Sequence, residues 1–321
     1  MKMIDLENSF LESGYIKESD NFFTRNKNDS DRYVENFGIQ WEKFQKTQLD
    51  SFTGNSLTES RLVNCSGWDL NSLKGKLLLE LGSGAGRFTE IFLKYGAIVV
   101  SVELSNAACE NYRNNKNNNL FIIKDSLVNF NLKGVKFDYV FCYGVAQHVP
   151  NPINVYQTSV KNLKSNTGLL TIDHYWKRLG NKIPCFIYYN KYLWRPLTTK
   201  LSPKHLLILV KIISIIFLPF DIILKRIFPW KIYKIIKILI PIPLSNYFGV
   251  FGIKQDFKTI LNWCVMDTFD MLGAKYDEPW TIDQLKSVAM SLDLESYEIK
   301  TVTNNGNGLI LNGLAKRQNI K

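Results

Sequence analysis

An acidic residue followed by alternating glycines is the most specific chemical pattern in this sequence. The stretch ELGSGAG, at the end of an apolar run, places Glu80, Gly82, Gly84 and Gly86 two residues apart. Glycines at such a point let the chain turn tightly and let its backbone approach a ligand. The dinucleotide pattern GxGxxG would need its third glycine at position 87, which is Arg87. A carboxylate beside the loop would repel a pyrophosphate, and it suits a ligand with a cationic amino-acid end.

Polar residues also follow the next two apolar runs. Glu103 ends the second run, where its carboxylate can accept hydrogen bonds from both hydroxyls of a ribose. Asp125 and Ser126 end the third run, where an adenine amino group could be recognised. Open sheets bind ligands at the carboxyl ends of their parallel strands. Each feature alone is also typical of an ordinary turn or a solvated strand end, so their succession is what predicts a nucleoside site.

Two of the three histidines lie at the ends of later apolar runs. His148 follows the fourth run in YGVAQHVPNP, and His174 ends the fifth run in TIDHYW. Either could be the catalytic base that takes a proton from a hydroxyl acceptor. The alternative for His148 is a loop histidine that caps the following helix.

A cluster of acids and a tyrosine near the end of the chain is a second candidate for acceptor binding. It comprises Asp267, Asp270, Tyr276 and Asp277. These side chains could bind acceptor hydroxyls, or DTFDML could simply be an amphipathic helix with a polar face. We predict no metal site from them.

The apolar runs themselves predict the strands of a doubly wound sheet. KLLLELG, AIVVSVEL, NLFIIKDS, FDYVFCYG and GLLTIDHYW are typical of buried parallel strands, and helical patterns at 86–95, 105–116 and 152–163 separate some of them. SYEIKTVTN and NGLILNGLAK, within 296–316, predict two closing strands. We therefore predict an α/β fold with a Rossmann-like, mostly parallel, seven-stranded sheet and an inserted helical subdomain.

Four parts of the chain are expected. Residues 1–74 would form an N-terminal arm, irregular up to residue 36, and a helical cap. Residues 75–176 would form the ligand-binding core, and residues 177–290 a basic, apolar, helical insertion. Residues 291–321 would supply the closing strands.

The positive charge of the chain is concentrated in the insertion. Residues 177–254 contain 14 of the 40 Lys and Arg residues but one of the 29 acids, within a formal net charge of +11. This distribution disfavours nucleic acid as a partner. Five scattered cysteines without a CxxC pair argue against zinc or disulfide bonds and indicate a reducing compartment. The N-terminus shows no export signal, so we expect a cytoplasmic protein.

Four motifs in order make the sequence similar to a known family. Over about 75–176, ELGSGAGRFT, SVELS, KDS and FDYVFCYGVAQHVPNP resemble the class I S-adenosylmethionine-dependent methyltransferases. The resemblance implies S-adenosylmethionine as the cofactor. It implies that the methionine end contacts Glu80, Gly82, Gly84 and Gly86, the ribose Glu103, and the adenine Asp125 and Ser126. Arg61, from a flanking segment, could pair with the cofactor carboxylate or form a surface ion pair.

A narrower resemblance covers most of the chain. FGIQWEKFQKTQLDSFTG, PLSNYFG and DTFDMLGAKYDEPWT are similar to a subgroup often encoded among surface-polysaccharide and lipopolysaccharide genes. This resemblance implies O-methylation of a surface glycan or of its lipid-linked precursor. The alternatives are a small lipophilic acceptor such as a quinone precursor, and a cofactor-binding module without activity. The sequence does not indicate an oligomeric state.

The apolar part of the insertion, residues 204–243, predicts contact with a membrane surface. Its longest uncharged run, from Ile212 to Phe220, is shorter than the about 20 residues that a spanning helix needs, so we expect no span. A polar arc with a broad apolar face beside it is formed by Lys211, Ser214, Asp221 and Lys225. Such helices typically lie in a membrane interface. The alternatives are a dimer interface or a lid, whose underside could receive a lipid tail.

Overall fold

The structure, a computed structural model, describes residues 3–25, 32–128, 130–178, 190–245, 256–302 and 308–317. The end of the PLSNYFG motif and the junction between the two closing strands lie outside these residues. The strands are β1 (Ile16–Ser19), β2 (Phe22–Thr24), β3 (Leu77–Leu81), β4 (Ile98–Val102), β5 (Leu120–Lys124), β6 (Tyr139–Cys142), β7 (Leu169–Tyr175), β8 (Leu294–Thr301) and β9 (Gly308–Ala315).

Helices surround the sheet. The described α-helices are α1 (Met3–Glu12), α2 (Arg32–Lys43), α3 (Asp50–Thr53), α4 (Leu57–Ser66), α5 (Arg87–Lys94), α6 (Ala107–Asn114), α7 (Pro152–Asn162), α8 (Lys191–Thr198), α9 (Pro203–Ile227), α10 (Trp230–Leu239), α11 (Phe257–Gly273) and α12 (Ile282–Ser291). Short 3-10 helices lie at Leu70–Leu73 and Ala146–His148.

One mixed sheet of nine strands forms the centre of the fold, in the order β1-β2-β5-β4-β3-β6-β7-β9-β8. Strands β2 to β7 pair in parallel, whereas β9 is antiparallel to both β7 and β8. The parallel core strands are buried on both faces, which explains why their sequences are continuous apolar runs. The predicted α/β fold and its seven strands are confirmed, and two additional strands extend the sheet.

The additional strands come from the N-terminal region, which was expected to be irregular. Helix α1 and the hairpin β1–β2 pack beside β5, the outermost of the predicted core strands, where Phe22 pairs with Ile122. Phe10 and Phe23 are fully buried there, and the Phe10 ring lies 5.6 Å from that of Phe121. Burial of these rings stabilises the hairpin on the sheet, so the expectation was wrong.

Helix α9 turns Ser214 and Asp221 of its polar arc inward, in contrast to the simplest interpretation of the pattern. Ser214 and Asp221 are buried between α9, α10 and α11, because Cys264 donates to Ser214 and Tyr233 donates to Asp221. Many apolar positions of α9 and α10 therefore face outward. Those exposed are Ile208, Ile212, Ile215, Ile216, Phe220, Ile223, Ile227, Trp230, Ile232, Ile235 and Leu239.

By length and composition, α9 is the one helix in the described ranges that could cross a membrane. Its most apolar 18 residues have a mean hydropathy of 2.6. This finding differs from our expectation. That expectation considered only runs without any charge, whereas an apolar helix of this length can include two charged residues. One face of α9 packs against the protein through Leu206, Val210 and Leu218. About one third of the apolar window is buried.

Candidate active site

A cavity opens at the carboxyl ends of the central strands, where open α/β sheets bind ligands. Its wall is built from the turns after β3, β4, β5 and β6, together with residues of α2 and α11. The predicted site residues that line it are Arg61, Gly82, Gly84, Glu103, Ser126 and His148. Those that do not line it are Glu80, Gly86, Asp125 and His174.

The glycine loop and Glu103 form one connected part of this wall. Gly84 has a φ of +53°, and a Cβ atom built on it would lie 3.0 Å from the ring of Trp41. Its N–H donates to one carboxylate oxygen of Glu103 over 3.0 Å. The other oxygen accepts from the backbone N–H and the hydroxyl of Ser105, at 2.9 and 2.7 Å. These bonds hold the Glu103 carboxylate, a hydrogen-bond acceptor, at the cavity. It lies beside a loop in which Gly82 and Gly84 have no side chain.

Glu80 lies beneath the loop instead of beside the ligand. Its side chain is 2% exposed, and it accepts a hydrogen bond from the hydroxyl of Thr89. Burial raises the pKa of Glu80 to about 7. The carboxyl group is therefore partly protonated near neutral pH, and the expected contact with the methionine end does not appear in the geometry. Gly86 likewise lies at the start of α5, where Asn115 donates to its carbonyl oxygen.

Asp125 is turned away from the cavity and toward the N-terminal hairpin. Its carboxylate accepts from the hydroxyl of Tyr15 over 3.0 Å and lies 3.5 Å from the guanidinium of Arg25. Its neighbour Ser126 lines the cavity. The structure thus separates the two residues that were predicted to bind adenine together. Tyr15 and Arg25, which the sequence did not indicate, hold the end of β5 in place.

Arg61 projects from α4 to the cavity wall. It is almost fully buried, and its guanidinium carbon lies 5.9 Å from the centre of the Tyr143 ring. Both residues line the cavity. The pairing of Arg61 with a cofactor carboxylate stays a prediction.

His148 is held in a defined orientation at the cavity. The short helix after β6 carries it, and it is 4% exposed. Its Nδ1 lies 2.9 Å from the carbonyl oxygen of Tyr276 and its Nε2 lies 3.4 Å from the hydroxyl of Tyr175. Because a carbonyl oxygen only accepts, the neutral ring carries its proton on Nδ1. Nε2 then has a lone pair and can accept a proton.

His174 is enclosed in the protein. Its Nε2 donates to the carbonyl oxygen of Glu278 over 2.8 Å, and its ring stacks on Trp280 with centres 4.0 Å apart. Burial lowers the pKa of His174 to about 3, so the ring stays neutral. His174 therefore has a packing position that joins β7 to the segment before α12, whereas His148 lines the cavity.

Two acids from the C-terminal cluster contribute differently. Asp270 of α11 lines the cavity, and its Oδ1 atom is buried without a hydrogen-bond partner among the described residues. Burial raises the pKa of Asp270, and the positive charge that His148 can carry lowers it. Asp277 instead pairs with Lys191 at 2.6 Å and accepts from Tyr192. Burial alone would raise the pKa of Asp277, but Lys191 and other nearby cations hold it below its usual value.

Comparison with protein families agrees with this geometry. Residues 79–171 match the family model that is described as a methyltransferase domain. The central part of the chain is a methyltransferase domain. The match begins within β3 and ends within β7, so it includes the glycine loop, Glu103 and His148.

Curated relatives of the methyltransferase domain include ubiquinone biosynthesis O-methyltransferases. That of Glaesserella parasuis serovar 5 (strain SH0165) is 36% identical over 111 residues, which are 32% of this chain and 47% of the relative. That of Coxiella burnetii (strain Dugway 5J108-111) is 30% identical over 94 residues, 28% of this chain and 38% of the relative. The chain thus spans less than half the length of these relatives.

Two methyltransferases are among the solved structures that align with this chain. The magnesium protoporphyrin IX methyltransferase of Synechocystis PCC 6803, with bound S-adenosylhomocysteine, has a TM-score of 0.41 and 11% identity, and the match covers 91% of this chain and 90% of that one. The amino pentose methyltransferase CalS10 of Micromonospora echinaspora, with bound S-adenosylmethionine, has a TM-score of 0.34 and 18% identity, with 40% and 54% covered.

S-adenosylmethionine is the cofactor of this domain. The residues present fit it, because the backbone of Gly84 approaches the cavity closely and Glu103 presents a fixed carboxylate for a ribose. Arg61 and Ser126 also line the same cavity. Within the ranges that the structure describes, no three His, Cys, Asp or Glu side chains come together as a metal site.

Proposed function

We propose that this chain is an S-adenosylmethionine-dependent O-methyltransferase whose acceptor is a small lipophilic molecule at a membrane surface. The observation that carries the proposal is the position of His148. His148 lines the same cavity as the glycine loop and Glu103, and the lone pair of its neutral ring is on Nε2, 3.4 Å from the Tyr175 hydroxyl. A hydroxyl acceptor needs such a base to remove its proton.

The chemistry divides between the cofactor and the residues of the chain. The cofactor supplies an electrophilic methyl group bound to a sulfonium. His148 would accept the hydroxyl proton on Nε2, so that the acceptor oxygen can take the methyl group that the cofactor would supply, with its sulfur as the leaving group. The Tyr276 carbonyl orients the ring, and the nearby carboxylate of Asp270 stabilises the imidazolium that results. General base catalysis of this kind contributes about 10²–10⁴-fold in rate.

The relatives favour a quinone-like acceptor. Both curated relatives are named for O-methylation in ubiquinone biosynthesis, and the corresponding acceptor chemistry is a hydroxyl on a ring with a lipophilic tail. The resemblance to the surface-polysaccharide subgroup keeps a lipid-linked glycan as the second candidate. Both acceptor classes are amphiphilic, and both would be met at a membrane.

The outward face of α9 and α10 supports a location at the inner surface of the cytoplasmic membrane. Phe220 is 61% and Ile215 58% exposed, although large apolar side chains gain free energy when they leave water. Lys211, Lys231 and Lys234 are exposed on the same helices. Attraction to anionic lipid contributes about 1 kcal/mol for each such cation near the surface. The helices would lie in the interface, with the active site facing the cytoplasm.

Calorimetric titration with S-adenosylmethionine and, separately, with NAD tests the cofactor part of the proposal. We expect micromolar binding of the first and none of the second. Transfer of a labelled methyl group to a catechol with an isoprenoid tail, or to an extracted lipid-linked glycan, then tests the acceptor. Cofactor binding without transfer to a hydroxyl of either acceptor would contradict the O-methyltransferase proposal.

A further inference from the structure

A second cavity, of about 580 Å³, adjoins the methyltransferase cavity. The two share Tyr175, Asp267 and Asp270 in their walls. Helices α8, α10 and α11 and the segment after β7 provide the rest of its lining. The volume is large compared with the about 30 Å³ share of one water molecule, so this cavity can hold a sizeable part of an acceptor whose hydroxyl lies beside His148.

Four cations and four aromatic rings line the second cavity without lining the first. The cations are Arg178, Lys191, Lys234 and Lys237, and the rings are Trp176, Tyr192, Trp230 and Tyr233. Ion pairs occupy two of the cations, since Lys191 lies 2.6 Å from Asp277 and Lys237 lies 3.0 Å from Asp221. These pairs and the bond from Tyr233 to Asp221 fix the lining.

The other two cations lack such partners. Across the described part of the chain, neither Arg178 nor Lys234 has a carboxylate within 4.0 Å. Each lies over a ring instead, Arg178 at 5.3 Å from the centre of Trp176 and Lys234 at 5.1 Å from that of Trp230. Two positive charges beside aromatic faces can bind an anionic group, with charge-assisted hydrogen bonds that are roughly twice as strong as neutral ones.

Charge is thus distributed unevenly along the joined cavities. Asp267 and Asp270 line both cavities, whereas Arg178 and Lys234 line only the second. An anion is repelled by the two acids and attracted by the two cations, whereas a neutral hydroxyl can approach Asp270. This distribution would orient an acceptor with a hydroxyl at one end and an anion at the other. Lys234 shares α10 with the exposed Ile232 and Ile235, which places the anion near the lipid-facing surface.

We propose that the second cavity binds an anionic group of the acceptor, a carboxylate or a phosphate, through Arg178 and Lys234. This inference rests on the proposed function, because it assumes that the acceptor hydroxyl lies in the first cavity. It adds the charge of the substrate and the residues that select it. A ring carboxylate and the phosphate of a lipid carrier share the required chemistry.

Matched pairs of probes distinguish these two sources. Calorimetry in the presence of S-adenosylhomocysteine would compare 3,4-dihydroxybenzoate with catechol, and farnesyl diphosphate with farnesol. We expect the charged member of at least one pair to bind about tenfold or more tightly than its neutral counterpart. Preference in the first pair identifies a carboxylate, and preference in the second identifies a phosphate.

Variants then locate the preference. Arg178→Gln combined with Lys234→Gln should reduce the preference for the charged probe about tenfold. Lys286→Gln, which removes an exposed charge from α12, should leave this preference unchanged. Persistence of the preference in the double variant, or no preference in either pair, would overturn the inference. If S-adenosylhomocysteine itself does not bind, the proposed function fails and this inference fails with it. If it binds without an anion preference, only the anion site is refuted.

Discussion

Replacement of Gly84 by alanine tests whether the glycine loop is shaped for the cofactor. At a φ of +53°, alanine is strained, and its Cβ atom would lie 3.0 Å from the ring of Trp41, which lines the same cavity. Gly134→Ala is a matched control. Gly134 has a similar φ of +70°, but a Cβ atom there meets nothing within 4 Å.

The two substitutions share one energetic cost and differ in another. A left-handed conformation costs a non-glycine residue roughly 1–2 kcal/mol, so both variants should lose stability by this amount. In Gly84→Ala, the loop or Trp41 must also move by a few tenths of an ångström. This movement disturbs the hydrogen bond from Gly84 to Glu103. Because this bond holds the carboxylate that would bind the ribose, we expect its disturbance to lower the affinity for the cofactor about tenfold.

Thermal unfolding and calorimetry with S-adenosylhomocysteine would separate the two costs. We expect both variants to melt a few degrees lower than the wild type, and only Gly84→Ala to lose about tenfold or more in affinity. An affinity of Gly84→Ala equal to that of the wild type would refute the argument that the backbone of Gly84 approaches the cofactor. Equal losses of affinity in both variants would show that backbone strain elsewhere in the domain weakens cofactor binding as much as strain at Gly84.

Further predictions concern the base, a buried acid and the apolar face. His148→Gln should lower turnover at least about 100-fold and change the affinity for S-adenosylhomocysteine less than about threefold; normal turnover would remove His148 as the base. The folded-state pKa of Glu80, about 7, exceeds its ordinary 4.5. The protonated carboxyl group therefore contributes fully to the stability of the folded protein below pH 4.5, and this contribution is lost as the pH rises through 7. Glu80→Gln should therefore gain melting temperature relative to the wild type between about pH 5 and pH 8, and a constant difference would contradict this account. Phe220→Glu should weaken binding to anionic vesicles about tenfold, whereas Met290→Glu, on exposed α12, should not. Unchanged binding, or loss of a dimer in place of vesicle binding, would point to a second copy of the chain on that face.

The positions of the core strands along the chain could be predicted from the sequence, because the apolar pattern that marks each strand is local. A strand that is buried on both faces must be apolar at every position, and Leu77–Leu81 and Ile98–Val102 are continuous apolar runs apart from Glu80 and Ser101. The glycine spacing after β3 excluded a dinucleotide by the identity of a single residue, Arg87. Glu103 and His148 were predicted correctly to lie at one edge of the sheet, because parallel strands bring their carboxyl ends together.

The direction of individual side chains was decided by partners far away in the chain. Asp125 turns toward Tyr15, more than one hundred residues earlier. His174 is enclosed by Trp280 and by the carbonyl oxygen of Glu278, again more than one hundred residues away. No pattern within β5 or β7 distinguishes a ligand-binding residue from one that such partners hold.

The sequence by itself determined the glycine loop, the positions of the core strands along the chain and the amphipathic character of the insertion, since each depends on neighbours within one strand or helix. Only the tertiary structure decided which side of α9 is inside. Burying Ser214 and Asp221 costs free energy unless each finds a hydrogen-bond partner, and Cys264, Tyr233 and Lys237 come from other helices. Once those partners are in place, the polar side of α9 packs inward and its isoleucines face outward.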